Sequence, residues 1–124
     1  MKKPREQDTV TAILKFLALH RIPAWRVTTG ATKIGGRFVR FGAVGMADIV
    51  AVLPAYRGKN GALWLPGRFM AIEVKSATGR VSPAQQRFLD TVNAAGGKAF
   101  VAKSVADVAQ ELGLSPQTGG PHDA

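Results

Sequence analysis

Three residues of this chain have types and spacings suited to chemistry. Asp48 stands in the run Gly45-Met46-Ala47-Asp48-Ile49-Val50, and Glu73 and Lys75 stand in Ile72-Glu73-Val74-Lys75. Each lies in an apolar, strand-like run, where an ionised group is costly unless something pairs with it. Strand alternation sends Glu73 and Lys75 to one face and Ile72 and Val74 to the other. If Asp48 opens the neighbouring strand, the two carboxylates meet. Two carboxylates with water and substrate phosphate are a usual ligand set for Mg²⁺, and Mn²⁺ accepts the same oxygen donors. An ammonium beside them can orient a nucleophile or stabilise charge developing on phosphate oxygens. The spacing therefore suits metal-assisted phosphodiester hydrolysis. The backbone carbonyl of Val74 is a further candidate metal ligand. Taken alone, Glu73 and Lys75 would read as a salt-bridge ladder on an edge strand, so the remainder of the chain has to decide.

The charge pattern points to a polyanionic substrate. The chain has 124 residues, is 46% hydrophobic and 20% charged, and carries a formal net charge of +9. That suits one folded domain rather than a disordered chain. From Asp8 to Asp48 no other acid occurs, while Lys15, Arg21, Arg26, Lys33, Arg37 and Arg40 do; from Asp48 to Glu73 the pattern repeats with Arg57, Lys59 and Arg68. A field of this sign favours nucleic acid through counterion release. Lys33, Arg37 and Arg40 are the candidate DNA contacts, against the alternative of a merely solvated basic face. There is no cysteine, which excludes a disulfide framework and a thiolate metal site. Met1-Lys2-Lys3 could open a signal peptide, but Pro4, Arg5, Glu6 and Asp8 follow where an apolar core is needed. No apolar stretch approaches the ~20 residues of a membrane span. The expectation is a soluble cytoplasmic protein.

The elements that must hold the three residues can be read from periodicity. Pro4 suits a helix start, and Val10, Ile13, Leu14 and Leu17 form one helical stripe that Ile22-Pro23 ends. Glu6 continues that stripe toward the interior, whereas Asp8 lies near the opposite face. Ala24 to Thr28 suits a short strand, and Thr29 to Gly36, rich in Gly and Thr, reads as a mobile loop. Arg37 to Phe41 alternates in a strand-like manner. A strand follows from Asp48, then the turn signal Gly58-Lys59-Asn60-Gly61, then a returning strand from Ala62 to Lys75 that Pro66-Gly67 should interrupt. Ser82-Pro83 caps a helix with the stripe Phe88, Leu89, Val92 and Ala95, stopped at Gly96-Gly97. Lys98 to Ala102 suits a strand. Ser104 caps a last helix with Val105, Val108, Ala109 and Leu112 buried. The order α-β-β-β-α-β-α predicts an α/β sandwich with a small mixed sheet, one domain over residues 1–114 and a flexible tail over 115–124.

Gly-Met-Ala-Asp, Glu-Val-Lys and the run Gly79-Arg80-Val81-Ser82-Pro83-Ala84-Gln85 together resemble the VRR-NUC family of PD-(D/E)XK nucleases, from Glu6 to about Val101. The resemblance implies a restriction-endonuclease-like α-β-β-β-α-β core. By position it makes Asp48 and Glu73 the metal-binding carboxylates, Lys75 the catalytic lysine, Glu6 the first-helix acid that joins them in holding metal directly or through water, and Gln85 the helix glutamine that orients the catalytic site. Helical phase agrees on Gln85 rather than Gln86, because Gln85 lies three and four residues from Phe88 and Leu89. Ala47 departs from the proline that usually precedes the first aspartate, a change of backbone shape without loss of a reacting group. Ser76 and Arg80 flank the site as candidate phosphate contacts. Small stand-alone members resemble Holliday-junction resolvases and are expected to be homodimers, with phage or prophage origin consistent. The apolar segment Ala62-Leu63-Trp64-Leu65 is a possible dimer contact.

The expected function is thus a Mg²⁺-dependent endonuclease acting on branched DNA. The alternatives are a restriction- or repair-type nuclease on duplex and a nucleic-acid-binding module without catalysis. Simpler roles exist for several of these residues: Glu6 as an acid favoured at a helix N-terminus, Gln85 as polar helix surface, and Trp25 and Trp64 as core or interface residues. His20 and His122 have no partner at metal-ligand spacing.

Overall fold

The computed structural model describes residues 5–28, 30–41, 45–57, 61 and 63–115. Its elements run α1 (Glu6–Leu19), β1 (Ala24–Arg26), β2 (Gly30–Ile34), β3 (Arg37–Phe41), β4 (Ile49–Leu53), β5 (Tyr56–Arg57), β6 (Leu63–Trp64), β7 (Arg68–Val74), α2 (Pro83–Ala94), β8 (Lys98–Ala102) and α3 (Val105–Leu112). Pro4, the Gly58-Lys59-Asn60 part of the turn signal, His122 and the expected tail beyond Ser115 lie outside the described residues.

One mixed sheet of four strands, in the order β1-β4-β7-β8, forms the centre. β1, β4 and β7 are antiparallel neighbours, and β8 joins β7 in parallel after the α2 crossover. Counting only these strands, the chain reads α-β-β-β-α-β-α, and the α/β architecture is consistent with a restriction-endonuclease-like core. β2 and β3 pair with each other, as do β5 and β6, so both pairs are excursions from the central sheet. The β2 pairing corrects the expectation of a loop over Thr29 to Gly36. A Gly- and Thr-rich segment has weak strand propensity of its own, and five cross-strand partners on β3 override it.

The sheet separates two apolar layers. Ile49, Ala51, Leu53, Met70, Ile72 and Val74 project from one face onto Val10, Ile13, Phe16 and Leu17 of α1 and Val108, Ala109 and Leu112 of α3. Each large aliphatic group so buried contributes about 1.5–3 kcal/mol. On the other face a smaller layer joins Ala71, Ala99 and Ala47 to Leu89 of α2, with Phe88 and Val92 partly buried. The expected stripes hold with three corrections. Phe16 rather than Leu14 is buried on α1, Ala95 is exposed beyond the end of α2, and Val105 on α3 is only partly buried.

The helix ends follow local chemistry. α1 stops at Leu19, ahead of Ile22-Pro23, because Arg21 adopts φ 61°. The Ile22 N–H then donates to the Leu17 carbonyl and the Arg21 N–H to the Ala18 carbonyl, the Schellman pattern. Ser82 and Ser104 cap α2 and α3 as expected, accepting from the Gln85 and Asp107 N–H groups at 3.1 Å each. Among the described residues no helix is long and apolar enough to cross a membrane.

Candidate active site

The β4–β7 register, Ile49 opposite Ile72, continues to set Asp48 opposite Glu73 at the end of the pair. Alternation on β7 then does what its sequence requires. Ile72 and Val74 enter the larger apolar layer, and Glu73 turns to the face that carries α2. Glu73 is 3% exposed, the one buried charged residue among those described. Lys75, just beyond the strand, brings its Nζ to 3.5 Å from Glu73 Oε2.

A set of hydrogen bonds holds this strand end from three sides. The Val74 N–H donates to Asp48 Oδ2 at 2.7 Å, which orients the aspartate. The Lys75 N–H donates to the Ala102 carbonyl at 3.0 Å, continuing the parallel pairing with β8. The Ser76 N–H donates to Glu6 Oε2 at 3.2 Å, joining the first turn of α1 to the residue after the lysine. Val74 therefore engages the site through its N–H, a contact that its sequence position between acid and lysine did not indicate.

Gln85 performs two tasks. Its Oε1 accepts from the Ser82 N–H at 2.9 Å, closing a capping box with the Ser82 side chain. Its Nε2 donates to Glu73 Oε2 at 3.0 Å. The motif that starts α2 thus also fixes one oxygen of the buried glutamate. The other, Glu73 Oε1, is buried with no hydrogen-bond partner. Burial first, then the charge and carboxyl contact of the neighbouring Asp48, raise the Glu73 carboxyl to about 7, with Lys75 offsetting part of the rise. A buried carboxylate with one oxygen anchored and the other unsatisfied, beside a second carboxylate, fits a divalent cation completed by water and phosphate.

The structure therefore brings together Asp48, Glu73, Lys75 and Gln85. Gln86 faces away and donates to Asp90. Glu6 is exposed rather than interior, since the first turn of α1 reaches the rim of the sheet and meets the backbone of Ser76. The described residues hold no group of three or more acids and histidines that could cage a metal, so Glu6 does not join Asp48 and Glu73 in this arrangement. Ser76 is half-buried at the site, and Arg80 is exposed on the loop to α2. Lys33 and Arg37 are exposed on the β2–β3 pair; Arg40 lies on β3, with its side chain outside the described ones.

Gly45 has a packing role that its place in the Gly-Met-Ala-Asp run does not announce. Its φ is +82°, and a Cβ there would lie 2.5 Å from the Ala84 carbonyl oxygen. The chain entering Asp48 thus runs directly against the first turn of α2, one residue from Gln85, a contact that only glycine permits. The sequence model of the VRR-NUC domain matches residues 7–106, most of the chain. No curated protein and no solved structure matches it.

Proposed function

This chain belongs to the VRR-NUC domain family, a family of nucleases, and from that premise we propose that it is a Mg²⁺-dependent endonuclease that hydrolyses phosphodiester bonds in DNA. The observation that carries the reading is the buried Glu73, whose Oε1 lacks a partner beside Asp48 and Lys75. Asp48 and Glu73 hold the cation, with the Val74 carbonyl a further ligand and Mn²⁺ a substitute. The bound ion would acidify a water and neutralise charge on the attacked phosphate. Gln85 holds Glu73 Oε2, so that its other oxygen stays directed to the cation site. Lys75 places an ammonium where it can orient the nucleophile and stabilise charge on the phosphate oxygens. Glu6 acts through the backbone by pinning Ser76, and with it Lys75. Ser76, Arg80 and the basic residues Lys33, Arg37 and Arg40 meet the DNA.

The substrate we propose is a four-way junction or other branched DNA, cut by a homodimer. Each chain supplies one such site, and paired cuts across a junction need two sites related by two-fold symmetry. A restriction- or repair-type nuclease on duplex would use the same residues. A binding module without catalysis would have no use for a buried, partly unsatisfied Glu73.

The deciding assay incubates the protein with a junction, a flap, plain duplex and single strand, each with Mg²⁺, Mn²⁺ or EDTA, alongside Asp48→Ala and Lys75→Ala. Metal-dependent cutting is expected, with symmetric cuts in the junction and a loss of at least about 100-fold in either variant. Absence of metal-dependent cutting on every substrate, or wild-type rates in both variants, would overturn the nuclease reading. Cutting of duplex at one fixed sequence would transfer it to a restriction role.

A further inference from the structure

The excursion between β1 and β4 lies outside the hydrolytic constellation. Its two strands pair only with each other, Lys33 opposite Phe38 and Ile34 opposite Arg37. The connecting residues are Gly35 and Gly36, with φ of +58° and +80°, the pair of positive values that a two-residue type I′ turn needs. A Cβ added at either would meet nothing within 4 Å, so the tip stands in open space. Ile34 is 60% exposed there, with exposed Lys33 and Arg37 beside it. No acid occurs between Asp8 and Asp48, so the ribbon carries charge of one sign only.

Two anchors set where this ribbon stands. At its root the Val27 N–H donates to the Asp48 carbonyl at 2.7 Å, so the outgoing and returning chains meet at the metal-site aspartate. The returning chain then packs Gly45 against Ala84, next to Gln85. The ribbon therefore springs from the rim of the active site. The eight residue steps from Val27 to Gly35 span at most about 28 Å. That reach corresponds to roughly eight base pairs at about 3.4 Å each.

We infer that the β2–β3 ribbon is an arm that enters the major groove of the duplex flanking the cut phosphate. Ile34 and Arg37, a cross-strand pair, share the face turned to the base edges, from which the long Arg37 side chain reaches a phosphate on one wall of the groove, while Lys33 on the opposite face reaches a phosphate on the other. The major groove, about 12 Å wide, admits a two-stranded ribbon, whereas the minor groove, about 6 Å wide, is too narrow. The inference rests on the DNA-nuclease reading above and adds to it which element grips the substrate, and where.

Two measurements test it, one of them independent of cutting. The first is equilibrium binding of a junction with duplex arms, in EDTA, over a salt series. Lys33→Ala/Arg37→Ala is expected to flatten the slope of log affinity against log salt by about 1.8, near 0.9 per lost phosphate contact, with an unchanged thermal midpoint. For the second, the absence of cysteine makes Ile34→Cys a unique attachment point for an iron chelate that generates hydroxyl radicals. Strand breaks are expected within about eight base pairs of the enzyme's own cut. A wild-type salt slope in the double variant, or breaks that do not cluster near the cut, would overturn the ribbon. A wild-type protein that binds DNA with the ribbon-dependent slope but never cuts would strike the nuclease reading and leave the ribbon standing.

Discussion

Glu73 is in an environment that works against its own charge. Burial, with the adjacent Asp48 charge adding to it, raises its carboxyl from 4.5 to about 7, and Lys75 at 3.5 Å offsets only part of this. Between those two pH values the folded protein keeps a proton that the unfolded chain has released. The unfolded state then binds fewer protons, so stability falls as pH rises from about 4.5 to 7 and is level above. Glu73→Gln removes the group that ionises. In EDTA at pH 8 the variant should be more stable than wild type by on the order of 3 kcal/mol, with the difference vanishing only below about pH 4. Urea unfolding at several pH values measures this, and parallel pH profiles for the two proteins would refute it. Added Mg²⁺ should stabilise wild type above pH 7 and leave the variant unmoved, because a cation must displace the Glu73 proton to bind. Asp48, Glu73 and Lys75 were legible in the sequence because strand alternation and register are short-range rules. The partners of their backbone groups were not, since Val74 to Asp48, Lys75 to Ala102 and Ser76 to Glu6 join residues distant in the chain.

At the scale of elements, the start of α2 joins folding to chemistry. Ser82 contributes only to the cap, whereas Gln85 contributes to the cap and to Glu73. The two roles separate by substitution. Ser82→Ala should cost about 1 kcal/mol of stability. Gln85→Glu keeps an oxygen acceptor for the Ser82 N–H but sets a second carboxylate against Glu73. It should retain most of the helix stability and lose at least about tenfold in single-turnover cleavage. Wild-type cleavage by Gln85→Glu would reduce the residue to a cap. These helix starts were legible because Ser-Pro and Ser104 announce them locally. The β2 strand was hidden because its order comes from β3, not from its own Gly- and Thr-rich composition. Helical phase also misled at Glu6. It gives a direction around the helix axis but not where the first turn stands relative to the end of the sheet, and that turn lies at the rim.

At the scale of the molecule, the two faces of the sheet are covered unequally. α1 and α3 close one face, while α2 covers the other mainly over β7 and β8. The register sets Trp25 beside Val50 and Val52 beside Phe69, and Trp25, Val52 and Phe69 remain exposed on the open half of that second face. On the β5–β6 excursion and just after it, Leu63 and Leu65 are 61% and 75% exposed. Exposed apolar groups of this size suit an interface, and a second copy of the chain would give a junction its two cutting sites. Light scattering should then give twice the 13.1 kDa of one chain. Leu65→Glu should shift the protein toward monomer, since an isologous contact would bury the new charge twice, once from each copy. A supercoiled plasmid that extrudes a cruciform separates the consequences. Two cuts within one encounter yield linear DNA directly, whereas a monomer leaves a nicked circle first. Wild type should give linear product without a nicked intermediate, and Leu65→Glu should accumulate the nicked form. A wild-type protein that stays monomeric on DNA and only nicks the plasmid would end the paired-cut picture while leaving the single-site chemistry of Asp48, Glu73 and Lys75 intact.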